Sequence, residues 1–140
     1  MIKNYYRGAI GVVILYDITK NETFQHALSW LNDARSLSRK ESSICLVGNK
    51  LDLRKQRQVE LVTASEFSQE NGILHFETSA FTGENIEEVF VCLSKQIMSK
   101  VQNGIIDSSS VSVFGQYKKM IMNNNKDEDE SKKNEYRCGC

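Results

Sequence analysis

Three short stretches hold the residues best equipped for chemistry. Asn49-Lys50-Leu51-Asp52 brings an amide, an amine and a carboxylate into one segment. A carboxylate there can accept two parallel hydrogen bonds from a ring N–H lying beside an exocyclic amino group, the edge that guanine presents and adenine does not. Asp52 would then select a base; an ordinary polar loop after a strand is the plainer reading of the same residues. Thr78-Ser79-Ala80 is a second small polar segment, and Cys138-Gly139-Cys140 places two thiols one residue apart at the end of the sequence. Such a thiol pair could bind a metal, form a strained disulfide or carry lipid.

Other candidates have plainer explanations. His26 and His75 lack partners at ligand spacing and read as a helix position and a strand position. Cys45 and Cys92 sit in apolar segments, where a small buried hydrophobe is a better reading than half of a disulfide. The 18 basic and 18 acidic residues give a formal net charge of +0, so no global field draws the chain to nucleic acid or to an anionic membrane. No apolar run approaches the roughly 18 residues of a membrane-crossing helix, and Met1-Ile2-Lys3-Asn4-Tyr5 lacks a signal-peptide core, so the chain reads as cytosolic. A length of 140 residues leaves room for one domain.

The elements that position these residues follow from periodicity. Ala9 to Ile18 is nearly all apolar and rich in Val and Ile, as in a strand buried on both faces, and Asp17 stands at its end. Asn21 is placed to cap a helix running to about Ser38, with Phe24, Ala27, Leu28, Leu31, Ala34 and Leu37 on one stripe. Ser43 to Gly48 reads as a second buried strand, followed by a loop. A helix over Leu61 to Asn71 turns Ala64 and Phe67 inward and is closed by Gly72, and Leu74 to Thr78 forms a third strand. Asn85 and Glu88 approximate a capping box for a last helix with Ile86, Val89, Phe90, Leu93, Ile97 and Val101 on its apolar face.

Strand and helix in alternation build a parallel α/β sheet with right-handed crossovers, and ligands of such sheets sit beyond the strands' C-terminal ends. The expected ends are Asp17-Ile18-Thr19, Asn49-Lys50-Leu51-Asp52 and Thr78-Ser79-Ala80. After Gly104 the composition turns polar, so residues 1–104 are expected to form the folded portion and 105–140 a flexible tail.

Gly48-Asn49-Lys50-Leu51-Asp52-Leu53 and Glu77-Thr78-Ser79-Ala80 resemble the fourth and fifth nucleotide motifs of Ras-like GTPases, and the resemblance covers about Asn4 to Gln102. Tyr5-Tyr6-Arg7-Gly8-Ala9 and Leu15-Tyr16-Asp17-Ile18-Thr19 are similar to stretches that mark the Rab branch. Trp30-Leu31-Asn32-Asp33-Ala34-Arg35 and the segment Thr82 to Phe90 look most like the recycling-endosome and Golgi-endosome Rabs.

The resemblance implies an α/β, P-loop NTPase (Ras-like) fold in partial form and a site for GTP or GDP. In it Asn49 contacts the N7 or O6 side of guanine, the Lys50 stem lies along the base, and Asp52 pairs with N1 and the 2-amino group. Ser79 buttresses the loop, and the Ala80 N–H donates to O6. Phe81 stands where the family usually has Lys, and it would stack on the base edge or face solvent. It also implies Mg²⁺ in the complete family domain, with a vesicle-transport switch driven by GTP hydrolysis.

The family's phosphate-handling parts have no counterpart in these residues: no G-x-x-x-x-G-K-[ST] occurs, and no Asp-x-x-Gly precedes Tyr5. The chain therefore reads as N-terminally truncated, without the first three strands or the phosphate loop, with an open sheet edge, without catalytic residues or Mg²⁺ ligands, and inactive alone as a GTP hydrolase. Its Cys-x-Cys ending is similar to that of Rabs, which implies geranylgeranylation of Cys138 and Cys140 by a geranylgeranyl transferase with the Rab escort protein. Two lipid chains hold a protein stably on a membrane. Further implied partners are the GDP-dissociation inhibitor, effectors, exchange factors and GTPase-activating proteins, with no nucleic acid. The implied location is the cytoplasmic face of endosomal or Golgi-related membranes, with a cytosolic pool. Two other readings are a non-catalytic prenylated interaction protein that competes for Rab partners, and a flavodoxin-like domain in which N-K-x-D is accidental.

Overall fold

The computed structural model describes residues 6–108. The expectations for the 109–140 part of the tail, including Cys138 and Cys140, lie outside the described residues, as does Tyr5. The elements run β1 (Gly11–Asp17), α1 (Asn21–Leu37), β2 (Ser43–Asn49), a 3₁₀ helix (Leu51–Gln56), α2 (Leu61–Glu70), β3 (Leu74–Glu77) and α3 (Ile86–Gln102). The three strands form one parallel sheet in the order β1-β2-β3, the α/β architecture expected of a partial Ras-like fold.

Helices cover both faces. On one, Phe24, Ala27, Leu31 and Ala34 of α1 and Ala64 of α2 pack against Val12, Ile14, Tyr16, Ile44 and Leu46. On the other, Val89, Leu93 and Ile97 of α3 lie on Cys45 and Val47. Cys45 is free and buried, and burial pushes its thiol up to about 12, which keeps it inert. Cys92 is buried too, but it is disulfide-bonded, which corrects the expectation that it serves only as a small buried hydrophobe.

β2 is the strand buried along its whole length up to Asn49. β1 departs from the expectation of burial on both faces: Val12, Ile14 and Tyr16 are buried, whereas Leu15 is 50 % exposed. The cause is where α3 crosses. It comes so close at Gly11 that an added Cβ would lie 2.8 Å from Ile97 Cδ1, and it leaves the Leu15 end of the strand uncovered. Phe90, expected on the apolar stripe of α3, is likewise exposed.

Gly48 has a packing role that periodicity did not reveal. It pairs with Tyr16 across the β1–β2 ladder, and the Tyr16 ring passes over it to hydrogen-bond its hydroxyl with His75 Nε2 at 3.1 Å on β3. A Cβ at residue 48 would meet Tyr16 Oη at 2.6 Å and Ile18 Cγ2 at 2.9 Å. Only a glycine leaves that path open.

The helix ends differ from expectation in two places. Asn21 is the first residue of α1, preceded by Lys20 as N-cap, and the first turn is tied instead by Thr23 Oγ1, which donates to the carbonyls of Asp17 and Lys20. Asn85 is the N-cap of α3, but its φ of 60° turns the side chain away from the helix, and no capping box forms. Gly72, at φ +62°, does follow α2 in the left-handed conformation that closes helices. Packing continues past Gly104, because Ile106 folds back into the α3 core, 3 % exposed, with its N–H on the Lys100 carbonyl.

Candidate functional site

The parallel register brings the three strand ends to one edge. Asp17 lies opposite Asn49, and Gly48 opposite Glu77. Backbone bonds then stitch the following residues together: Ile18 N–H donates to Asn49 O at 3.1 Å, Thr78 N–H to Gly48 O at 2.8 Å, and Leu51 N–H to Thr78 O at 2.9 Å. Five of the residues singled out by sequence, Asn49, Lys50, Asp52, Ser79 and Ala80, therefore converge here. The expected loop after β2 is instead a turn at Lys50, held left-handed at φ 71°, leading directly into the 3₁₀ helix. A non-glycine residue in that conformation costs about 1–2 kcal/mol, so the surrounding bonds must impose it.

Two bonds cross between the Asn49–Asp52 turn and the Ser79–Thr82 turn. Ser79, fully buried, donates its hydroxyl to Asp52 Oδ1 at 2.6 Å and accepts the Thr82 N–H at 3.1 Å. Ala80 N–H donates to Asn49 Oδ1 at 3.0 Å. Together they orient an exposed carboxylate at Asp52 and leave the Asn49 amide nitrogen as the donor that can face outward. The expected Ala80 donor is thus engaged, so an acceptor on a ligand would share it in a three-centre bond.

Lys50 Nζ forms an ion pair with Asp17 Oδ2 at 2.7 Å, and Asp17 Oδ1 accepts the Thr19 N–H at 2.9 Å and its hydroxyl at 2.6 Å. Burial works to raise the Asp17 pKa, but the bonds from Lys50 and Thr19 outweigh it and hold the carboxyl below its ordinary value. Sequence reasoning marked Asp17 only as a polar strand end. It missed a second support altogether: Arg57 grips Glu77 in a two-pronged pair, Nη1 to Oε1 at 2.5 Å and Nη2 to Oε2 at 2.7 Å, while Asn85 Nδ2 holds the Glu77 carbonyl at 2.8 Å. The only available signal for Arg57 was its place in a charged run, which looks like any solvated surface. Phe81 is 90 % exposed and faces solvent.

A sequence model of the Ras family matches residues 1–99. The chain belongs to the Ras family. It is 43 % identical over 113 residues to the Ras-related protein Rab-4 of Dictyostelium discoideum, covering 81 % of this chain and 55 % of the relative. With the human Ras-related protein Rab-4A it shares 44 % over 115 residues, 82 % of this chain and 53 % of the relative, and with that of Danio rerio 44 % over 115 residues, 82 % and 54 %. This Ras-family chain is Rab-like in sequence, and its relatives are consistent with the expected branch. The chain spans about half the length of the curated relatives it matches.

Guanine nucleotide with Mg²⁺ is the ligand that Ras-family membership implies. The donor set here fits the base: Asp52 is an exposed, oriented acceptor, and Asn49 is an oriented amide. Among the described residues there is no group of three or more His, Cys, Asp or Glu that could hold a metal ion.

Proposed function

We propose that this Ras-family chain recognises the guanine of GTP or GDP, as the base-reading part of a Rab-type switch in vesicle transport. The pair of cross-loop bonds, Ser79 to Asp52 and Ala80 to Asn49, carries the reading. They spend one oxygen of Asp52 and the oxygen of Asn49 on the protein, so what remains toward a ligand is a carboxylate acceptor beside an amide donor. Guanine offers the complement, with N1–H and the 2-amino group as donors and N7 and O6 as acceptors. Adenine offers neither donor edge to Asp52 and would place an amino group against Ala80 N–H. The Lys50 stem, fixed at its tip by Asp17, would flank the base.

Phosphate and Mg²⁺ contacts would come from residues other than these, because the chain carries no Gly-rich cradle with its Lys. GTP hydrolysis is accordingly a property we propose for the whole switch, and this chain alone should release no phosphate above a heat-killed control. We assign residues 1–104 to the nucleotide domain, with Ile106 packed onto it, and the remainder of 105–140 to a linker that carries geranylgeranyl groups on Cys138 and Cys140. Among the described residues no helix is long and apolar enough to cross a membrane. Endosomal membranes, the Rab escort protein, the GDP-dissociation inhibitor, effectors, exchange factors and GTPase-activating proteins are the proposed surroundings of the complete switch.

Equilibrium titration of the chain with fluorescent GDP and ADP analogues tests the base reading. GDP should bind at least about ten-fold more tightly, because hydrogen bonds to a charged group contribute about 1.5–3 kcal/mol each. Asp52→Ala should remove that preference. Equal affinity for the two nucleotides would reject the assignment.

A further inference from the structure

Just beneath the strand ends a second set of polar groups crosses the sheet. Tyr16 of β1 and His75 of β3 meet over Gly48 of β2, with His75 Nε2 3.1 Å from the Tyr16 hydroxyl. The other ring nitrogen, Nδ1, lies 3.3 Å from Ser65 Oγ on α2. Tyr16 is 3 % exposed, and among the described residues His75 is the only hydrogen-bond partner of its hydroxyl. A phenol hydrogen buried there needs an acceptor. Nε2 is therefore assigned as the bare nitrogen and Nδ1 as the protonated one, donating to Ser65 Oγ. The opposite tautomer would leave the Tyr16 hydrogen without an acceptor.

A second proton on this ring turns Nε2 from an acceptor into a donor. Tyr16 Oη must then accept, and its own hydrogen is left unpaired in a buried place, which is costly. The charged neighbours do not compensate. Glu77, two positions further along β3, favours the proton, but its carboxylate is spent on Arg57, which opposes it. β1 presents only the Tyr16 phenol, held above its ordinary value chiefly by burial. β2 carries no charged side chain, and α2 presents the neutral Ser65 while its carboxylates Glu66 and Glu70 are exposed. Burial is the largest influence on His75 itself and holds it below its ordinary value.

We propose that Tyr16, His75 and Ser65 form an acid-sensitive brace beneath the strand ends, opened by protonating His75, and that on the guanine reading given above this brace controls nucleotide affinity. Position gives it reach. Tyr16 directly precedes Asp17, the partner of Lys50; Gly48 directly precedes Asn49; and His75 stands two residues before Glu77, whose carbonyl Asn85 holds. The Tyr16 ring is wedged edge-on against Phe24 at a centroid distance of 5.1 Å, so it cannot yield to a protonated His75 without moving the end of β1. Opening the brace therefore loosens the three strand ends together. The fall begins as pH drops below 6.5, the ordinary value of the imidazole, and runs toward the lower folded value, because in that window the unfolded chain binds more protons than the folded one.

The test uses the full, unlipidated chain. Proton NMR on a His26→Gln background, which leaves one imidazole, follows the His75 ring from about pH 8 to about pH 5. The ring should titrate below 6.5, and Tyr16→Phe, which removes the competing hydroxyl hydrogen and keeps the aromatic ring, should move that titration upward. Backbone amide signals of Asp17, Asn49 and Lys50 should shift with the same midpoint as the ring. Affinity for a fluorescent GDP analogue should fall about five-fold between about pH 7.5 and about pH 5.5, the scale of one buried hydrogen bond, and His75→Gln should flatten that fall. A ring titration that Tyr16→Phe does not move, or amide signals that do not follow the ring, overturns the brace; GDP affinity that does not change with pH overturns its control of the nucleotide. Failure to bind GDP at about pH 7.5 rejects the guanine reading and with it that control, while the ring and amide titrations, which need no nucleotide, still decide the brace.

Discussion

Two serines at opposite ends of the same sheet show how differently one side chain can be used. Ser79 is fully buried, and its hydroxyl both donates to Asp52 and accepts from Thr82 N–H. Ser43 is equally buried, and its hydroxyl meets no partner among the described residues. Around Ser79 the chain's own groups satisfy one another, so the edge proposed to read guanine is held by internal bonds alone. Around Ser43 cationic charge accumulates and a hydrogen bond is left unmade. Order in the first region rests on bonds the chain makes with itself; in the second one such bond is missing.

The largest test of that contrast removes the support beneath the satisfied end. Glu77 is 7 % and Arg57 19 % exposed by side chain, so Glu77→Ala strands a mostly buried guanidinium and should cost about 3–5 kcal/mol in urea denaturation. The double change Glu77→Leu with Arg57→Met should recover much of that loss; if it recovers none, the pair is not the support described. Next, Gly48→Ala forces a methyl group against the Tyr16 hydroxyl and should cost toward the upper end of about 1–3 kcal/mol, with a matching drop in melting temperature. Ser79→Ala should cost about 1–2 kcal/mol, whereas Ser43→Ala should cost nothing or stabilise by up to about 1 kcal/mol. Equal losses from the two serine changes would erase the distinction drawn above.

The smallest effect is in acid. The Asp17 carboxyl is held below its ordinary value of 3.8, so in that range the unfolded chain binds more protons than the folded one. Its contribution is complete above that value and is lost as pH falls through the lower, folded value. Stability measured against pH should therefore show an acid limb below about 4 that is shallower in Asp17→Asn, by under about 1 kcal/mol for a pair whose lysine is nearly half exposed.

The order of strands and helices was readable from period alone, because the apolar runs and the 3.6-residue stripes are well separated. So was the meeting of Asn49, Asp52, Ser79 and Ala80, since a parallel sheet puts all its strand ends on one edge. What escaped the sequence depends on contacts far apart in the chain. Arg57 finds Glu77 across twenty positions, and Tyr16 reaches His75 across fifty-nine, past a glycine that looked like a strand terminus. Lys50 carries no mark of a left-handed turn, as Gly or Asn would. Asn85 did carry a capping signal, but its side chain found the Glu77 carbonyl instead of the helix. Burial of β1 was overestimated because apolar composition cannot say how far a helix reaches along a strand.

The outer side of β1 carries a practical consequence. Among the described residues no strand pairs with it, and Leu15 stands half exposed beside it. A row of unpaired backbone donors and acceptors next to apolar surface is a template for adding another chain. For handling in solution this sets a concentration ceiling: light scattering should rise with protein concentration long before the core melts, and a charged residue in place of Leu15 should move that ceiling upward.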